Sequence, residues 1–346
     1  MNYIISNLVK AQAILNQNFQ NPELRQQESP ILSLGARNGS ILLQDHSTLR
    51  TREDRPIEAY ILKRNKRTTT GTTRTSNHTG NIGDSISTDL NWASFVDKFS
   101  YSLKLLDNNM FNTAEMIANQ FAQTFMNIRE DIELYLRDYL LSEKTQVNKA
   151  TGVGEWDATD HVFKIVSAPE KGLFFENAKA MMRQNDYTGM LDVITDPIAY
   201  VAARFYAAQG AANDSNTAFQ FSGMNIVESN SLSILDTDPT TPVPYSNGVA
   251  LYLPINTFGV LDWIPRQNRE GSGDYNSYNG GFGSMRDPVS GLTFAVHGYS
   301  QRADTSASNG NTQDVQIQFE VSIDISANLA PLSNPDETVV FAAVNV

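Results

Sequence analysis

The stretch whose reading decides the fold is NTAEMIANQFAQTFMNIREDIELYLRDYLLSEK, from Asn112 to Lys144. In it Ile117, Phe121, Phe125, Ile128, Ile132, Tyr135 and Tyr139 recur at steps of three and four, the spacing that gathers side chains on one face of an α-helix. Asn112 is a favourable N-cap, and Glu115, three residues on, completes a capping box. At 1.5 Å per residue the segment makes a rod of roughly 50 Å, several times the ordinary helix. No second stretch of similar length and period exists to pair with it. The rod therefore reads as a strut that other elements must cover.

Upstream, Ile4, Leu8, Ala11 and Leu15 stand at helical spacing and are followed by the polar run NQNFQNPELRQQESP. This predicts a short amphipathic helix and then an arm. A helix this short is marginal alone, so its apolar stripe is expected to dock on another element. From Ile31 to about Asn91 the chain shows short β-prone runs, Ile41 to Leu43 and Ile57 to Leu62, inside long polar stretches. The runs are expected to pair as a hairpin without building a core. A lone hairpin is marginal in water and a coreless excursion of about sixty residues is unusual in a compact domain, so a neighbouring chain is expected to support it.

Charge points the same way. Arg50, Arg52, Arg55, Lys63, Arg64, Lys66, Arg67 and Arg74 face three acidic residues in the same stretch, a local surplus of +5. The remaining residues then carry −17 of the chain's −12 total, so a basic excursion sits beside an acidic body and two copies attract one another. Glu130, Asp131, Glu133 and Asp138, expected on the polar side of the strut, are the candidate acceptors. Between Lys63 and Arg74 no aromatic residue is available to stack on a base, so any contact with nucleic acid is expected to be non-specific.

Downstream the pattern is mixed. Helices are predicted from about Leu173 to Arg183 and from Pro197 to Gln209, the second opened by Asp196 as N-cap with Pro197 at the first helical position. Leu191 to Thr195 is a short apolar run, and strands follow at Asn225 to Glu228, Val249 to Leu253, Leu292 to Ser300 and Gln313 to Ile325. In the last, Val315, Ile317, Phe319, Val321, Ile323 and Ile325 alternate with polar residues, which means a sheet with one wet face. Arg269 to Gly283, rich in Gly, Asn, Ser and Tyr, reads as a surface loop. The class is α+β.

The chain has 346 residues, 40% of them hydrophobic and 18% charged, enough for two or three compact units. It contains no cysteine, which excludes disulfides and thiolate chemistry and fits a reducing cytoplasm. No run of about eighteen apolar residues occurs, and no secretory signal opens the chain, so neither a membrane span nor export is expected. The histidines His46, His78, His161 and His297 are scattered without metal-ligand spacing, and no phosphate loop, nucleophile elbow or zinc motif is present. Asp236-Thr-Asp238 lacks the further carboxylates a calcium site needs. No catalytic residue, metal or cofactor is expected. The sugar-binding look of Tyr275-Asn-Ser-Tyr-Asn-Gly-Gly-Phe282 is the one competing suggestion of ligand binding.

Taken in order, these parts resemble the major capsid proteins of tailed bacteriophages. Trp92-Ala-Ser-Phe-Val-Asp-Lys-Phe-Ser-Tyr-Ser-Leu-Lys104 leads into the strut as that family's extended loop leads into its spine helix. Asp192-Val-Ile-Thr-Asp-Pro-Ile-Ala-Tyr200, then Phe221-Ser-Gly-Met-Asn-Ile-Val-Glu-Ser-Asn230, are similar to its axial-domain segment, and Gln316 to Asp324 to a late strand of its peripheral domain. The resemblance implies an N-terminal arm (1–35), an extended β-hairpin loop (36–91), a peripheral domain (92–165 and 288–330) holding the spine helix 112–144, and an axial α/β domain (166–287 and 331–346). It also implies a subunit that forms pentamers and hexamers in an icosahedral shell around double-stranded DNA. Its expected partners are itself, a separate scaffolding protein, a portal and decoration proteins, with assembly in the host cytoplasm and a final place in the virion. No inter-subunit crosslink is expected, because nothing identifies an acceptor for Lys63 or Lys66. Encapsulin compartments share the fold and are the alternative.

Overall fold

The computed structural model describes residues 3–18, 29–62, 85–102, 113–143, 155–157, 162–165, 175, 179–180, 182, 189–201, 223–233, 248–275, 280–303, 314–330 and 341–345. In chain order the elements begin with α1 (Tyr3–Asn18), α2 (Pro30–Leu42), α3 (His46–Thr51), β1 (Glu58–Leu62), β2 (Ser85–Asp89), β3 (Trp92–Ser102) and α4 (Thr113–Ser142). They continue with β4 (Glu155–Asp157), β5 (Val162–Ile165), β6 (Leu191–Thr195), β7 (Met224–Glu228), α5 (Asn230–Ser233), β8 (Val249–Pro254), β9 (Phe258–Trp263) and α6 (Arg266–Glu270). The last are β10 (Ser272–Gly273), β11 (Gly281–Arg286), β12 (Thr293–Ala303), β13 (Asp314–Leu329) and β14 (Phe341–Asn345).

The strut forms as its periodicity predicts. Its 30 residues give a rod of about 45 Å. Ile117, Phe121, Phe125, Ile128, Ile132, Leu136 and Leu140 are buried along it, while Tyr135 and Tyr139 are only partly so. The buried line keeps stepping by four beyond Ile132, so the two tyrosines fall beside the seam. Phe121 and Phe125 stack into Phe99 of β3, Phe294 of β12 and Phe319 of β13, and α1 lays Ala11 and Leu15 against the same helix. The expected docking of the first amphipathic stripe is thereby explained.

Apart from the hairpin β1–β2, the strands form two six-stranded sheets. The first runs β10-β11-β12-β13-β3, with β9 also paired to β13; all its pairings are antiparallel. Along β13 the odd-numbered Ile317 to Ile325 are buried and the even-numbered Gln316 to Asp324 half-exposed, the wet-faced sheet that the alternation predicts. The second is mixed, β4-β5-β14-β8-β6-β7, with β5–β14 and β6–β7 parallel. Asp196 caps the helical residues 197–201 through Ala199 N at 2.8 Å, as the Asp-Pro signal predicts; residues 202–209 lie outside the described residues. Residues 175, 179, 180 and 182 are helical within the predicted 173–183 segment.

Several expectations are corrected. Ile41 to Leu43 do not form a strand, because 30–42 is a helix whose inner face is Ile31, Leu34, Gly35, Asn38, Gly39 and Leu42. The period is helical, but two glycines and an asparagine hide it from a hydrophobicity count. The glycines let α2 lie directly on β9: a Cβ on Gly39 would sit 2.3 Å from the Val260 carbonyl oxygen. Nor does 31–91 lack a core. Ile31, Leu32 and Leu34 enter the main one, and Leu42, Leu43, Leu49, Ala59, Ile61, Leu90 and Leu261 build a second. Residues 36–51, expected within the extended loop, are thus packed in α2 and α3, and the hairpin β1–β2 follows them.

Pairing also regroups two stretches. β4 and β5, expected with the first sheet's region through residue 165, pair within the second sheet. β9, β10 and β11, expected with 166–287, belong to the first. The chain changes sheets between β8 and β9, at a turn where Asn256 takes a positive φ of 62°. Within the expected surface loop 269–283, Gly281 to Gly283 are part of β11, and Tyr275 is buried under Gly281, Gly283 and Gly298.

Candidate inter-subunit contact surfaces

The base of the excursion is held by cations that turn inward. Arg50 Nη2 reaches Asp262 Oδ2 at 2.5 Å, and Arg55 Nη1 reaches Asp324 Oδ2 at 3.3 Å while lying over the Trp92 ring. Trp92 Nε1 donates to the Pro56 carbonyl at 2.7 Å. Arg269 forks over the end of α3, donating to the carbonyls of Arg50, Thr51, Arg52 and Ile264. The carbonyls of Arg50, Thr51 and Arg52 lie at or next to the C-terminus of α3 and have no partner within it, so the guanidinium answers both their hydrogen-bonding need and the local negative pole. His46 lies 3.4 Å from the Val260 carbonyl, and burial pulls its pKa below the ordinary value.

Of the eight expected basic contact residues, then, Arg50 and Arg55 are engaged within the chain, and Arg52 contributes its backbone carbonyl to the Arg269 clamp and to Trp263 Nε1. The Arg50 and Arg55 side chains remain 40% and 46% exposed. Lys63, Arg64, Lys66, Arg67 and Arg74 lie outside the described residues. The hairpin itself alternates, with Ala59 and Ile61 inward and Glu58, Tyr60 and Leu62 outward; Leu62 is 77% exposed and Ile57, just before the strand, 75%. These outward apolar side chains were legible as part of a short β-prone run but not as a surface.

The expected acceptor face also divides. Glu130 and Asp131 are exposed on α4, and Asp138 is exposed while pairing with Arg137 at 2.6 Å. Glu133 is not on that face. It is 6% exposed and accepts the amides of Ile31 and Leu32 at 3.0 and 3.1 Å and the Ser229 hydroxyl at 2.9 Å. It thus caps α2 in place of Ser29, whose side chain makes no cap bond. Burial raises the Glu133 pKa, opposed by those three donors. One turn earlier, Arg129 is 1% exposed and pairs with Asp287 at 3.4 Å. One turn later, Arg137 Nη1 donates to the Ser231 carbonyl at 3.1 Å.

Neither histidine among the described residues is an isolated surface group. His46 packs on β9, and His297 stacks between Phe282 and Tyr299 at 4.5 and 5.6 Å. His78, His161 and Asp236 to Asp238 fall outside the described residues. Among the described residues no cluster of three or more potential metal ligands occurs, and no helix is long and apolar enough to cross a membrane. Tyr275, in the stretch with the sugar-binding look, packs on Phe319, and burial pushes its pKa up to about 12.

By sequence the chain matches no described protein family and no curated protein. By structure it is similar to the "Cyanophage A-1(L) capsid asymmetric unit", with a TM-score of 0.52 and 10% identity over 92% of this chain and 93% of that one. It is also similar to "Capsid structure of the Cyanophage P-SCSP1u", at 0.45 and 12% over 86% and 85%, and to "Capsid of Ralstonia phage GP4", at 0.44 and 9% over 85% and 84%. The 30-residue strut packed on an antiparallel sheet, the second, mixed sheet and the likeness to the cyanophage A-1(L) chain along nine tenths of both chains give one answer: the chain has the tailed-phage major capsid fold.

Proposed function

We propose that the chain is a major capsid protein, the repeating subunit of a bacteriophage shell that gathers into pentamers and hexamers and encloses double-stranded DNA. The observation that carries the reading is the likeness to the cyanophage A-1(L) capsid chain along nearly the whole length of both. The hairpin supports it, because Ile57, Tyr60 and Leu62 face water while Ala59 and Ile61 are turned to the second core. Exposed apolar side chains grouped on one element suit burial against another chain.

In this reading the basic stretch Lys63, Arg64, Lys66, Arg67 and Arg74 lies across an adjacent copy and meets Glu130, Asp131 and Asp138 on its strut. Glu133 takes no part, being used inside its own subunit. The role is structural, with no catalytic step. A separate scaffolding protein, a portal and decoration proteins act with it, the packaged DNA is touched non-specifically, and assembly takes place in the host cytoplasm before the subunit resides in the virion. The regions about the first and second sheets serve as peripheral and axial domains.

Negative-stain electron microscopy of the protein expressed alone and with its genomic neighbours tests this. Closed shells, rings or tubes are expected, filled with DNA when the packaging proteins are present. A monomer under both conditions overturns the reading, and particles filled with protein cargo replace it with an encapsulin-like compartment. Changing Lys63, Arg64, Lys66 and Arg67 together to Glu is expected to stop assembly with the monomer's circular dichroism and melting unchanged.

A further inference from the structure

Between α2, α4, β7 and the turn after β11 lies a cleft of about 640 Å³ whose polar lining includes Ser33, Arg37, Arg129, Asn225 and Ser290. Of its two cations Arg129 is short of an acceptor, while Arg37 donates from Nε to Asn38 Oδ1 at 3.4 Å. Arg129 is buried, with Nε bound to the Phe125 carbonyl at 3.3 Å and 3.4 Å from Asp287, while Nη1 has no hydrogen-bond partner. Asp287 is already shared among closer donors. Its carboxylate already accepts the Val289 and Ser290 amides at 3.1 Å each and the Ser290 hydroxyl at 2.6 Å. Arg37, 58% exposed on the facing helix, stands 3.7 Å from Asp192, which takes the amide groups of Asn38 and Asn225 at 3.0 Å each. Glu133 is occupied by Ile31, Leu32 and Ser229.

Each carboxylate near the cleft is thus bound more closely by other donors than by the arginines. A buried guanidinium N–H calls for an acceptor, and the planar fork matches carboxylate and phosphate oxygens. Leu34, Val227 and Val289 add apolar wall beside the charge, which suits an anion with a hydrocarbon body better than a bare ion. We propose that this cleft binds a small organic oxyanion, a carboxylate or phosphate monoester whose head meets Arg129 and Arg37 and whose apolar body lies on Leu34, Val227 and Val289. The site stands whether or not the chain forms shells.

Titration calorimetry and thermal melting of the purified full chain with hexanoate and with hexyl phosphate test it, with acetate, inorganic phosphate and hexylamine as controls. Saturable binding and a rising melting temperature are expected for one or both hexyl anions, weaker effects for the two bare anions and none for hexylamine. The preferred head group follows from which hexyl anion binds tighter. Because Arg129 is buried and its loss would disturb folding, the variants are Arg37→Ala, expected to weaken binding about tenfold, and Val289→Trp, expected to abolish it by filling the cleft. Absence of saturable binding at millimolar concentration means that water alone serves Arg129 and overturns the proposal. So does binding that neither variant changes, or an equal response to hexylamine.

Discussion

At the scale of the residue, Glu133 shows how burial sets a role. It is flanked by Glu130 and Asp131, which stay in water, yet a rotation of 200 to 300° about the helix turns it onto the amides of Ile31 and Leu32. Its carboxyl is held above the ordinary 4.5 by desolvation, so the folded state binds the proton more tightly than the unfolded one. Its contribution to stability is therefore full below about pH 4.5 and declines as pH rises through the raised value. Glu133→Gln is expected to flatten that slope in urea titrations run across pH. It also sets an amide NH₂ against one of the three donors, a loss of about 1–3 kcal/mol. Arg269 makes a comparable point. Arg269→Lys keeps the charge but cannot fork over four carbonyls, and faster proteolysis between Arg50 and Pro56 with an unchanged core melting temperature is the expected outcome.

At the scale of the element, α2 is the informative case. Pro30 at the first helical position is a helix start signal in plain sight, and the buried positions 31, 34, 35, 38, 39 and 42 follow the helical period. A count of apolar residues misses it because the helix touches β9 through glycine. Gly39→Ala should lower the melting temperature by an amount equivalent to about 1–3 kcal/mol of overpacking, since the new methyl meets backbone. Ser40→Ala, on the exposed side of the same turn, should leave it nearly unchanged. The strut and β13 were legible in the sequence for the opposite reason. Each is long and regularly patterned with large side chains, so a dozen or more residues repeat the same statement.

At the scale of the whole molecule, α4 packs on the first sheet by its aromatic seam and reaches further elements by a polar line. Arg129 reaches the end of the first sheet at Asp287, Glu133 reaches α2 and the end of β7 at Ser229, and Arg137 reaches α5 at Ser231. The hairpin lends Ala59 and Ile61 to the second core while Tyr60 and Leu62 face water, and in the proposed reading that outward face serves assembly. Tyr60→Glu with Leu62→Glu is accordingly expected to leave the monomer's melting temperature within about 0.5 kcal/mol equivalents of the parent and to prevent particles from forming in electron micrographs. Unfolding by this pair would place the two side chains inside the fold instead.

The sequence by itself determined what is local: the strut, the Asp196-Pro197 helix start, the alternation of β13, the segregation of basic charge, and the docking need of α1. Only the tertiary structure decided which strands are neighbours, that β9 leaves its chain neighbour β8 to pair with β13, that Glu133 is dry, and that Arg50 and Arg55 are turned inward. The physical reason is that hydrophobic period tells which face of an element leaves water but not what covers it. The cover is chosen by shape and by unmet hydrogen bonds between segments up to hundreds of residues apart, as when β9 finds both a glycine stripe at residue 39 and a sheet edge at residue 326.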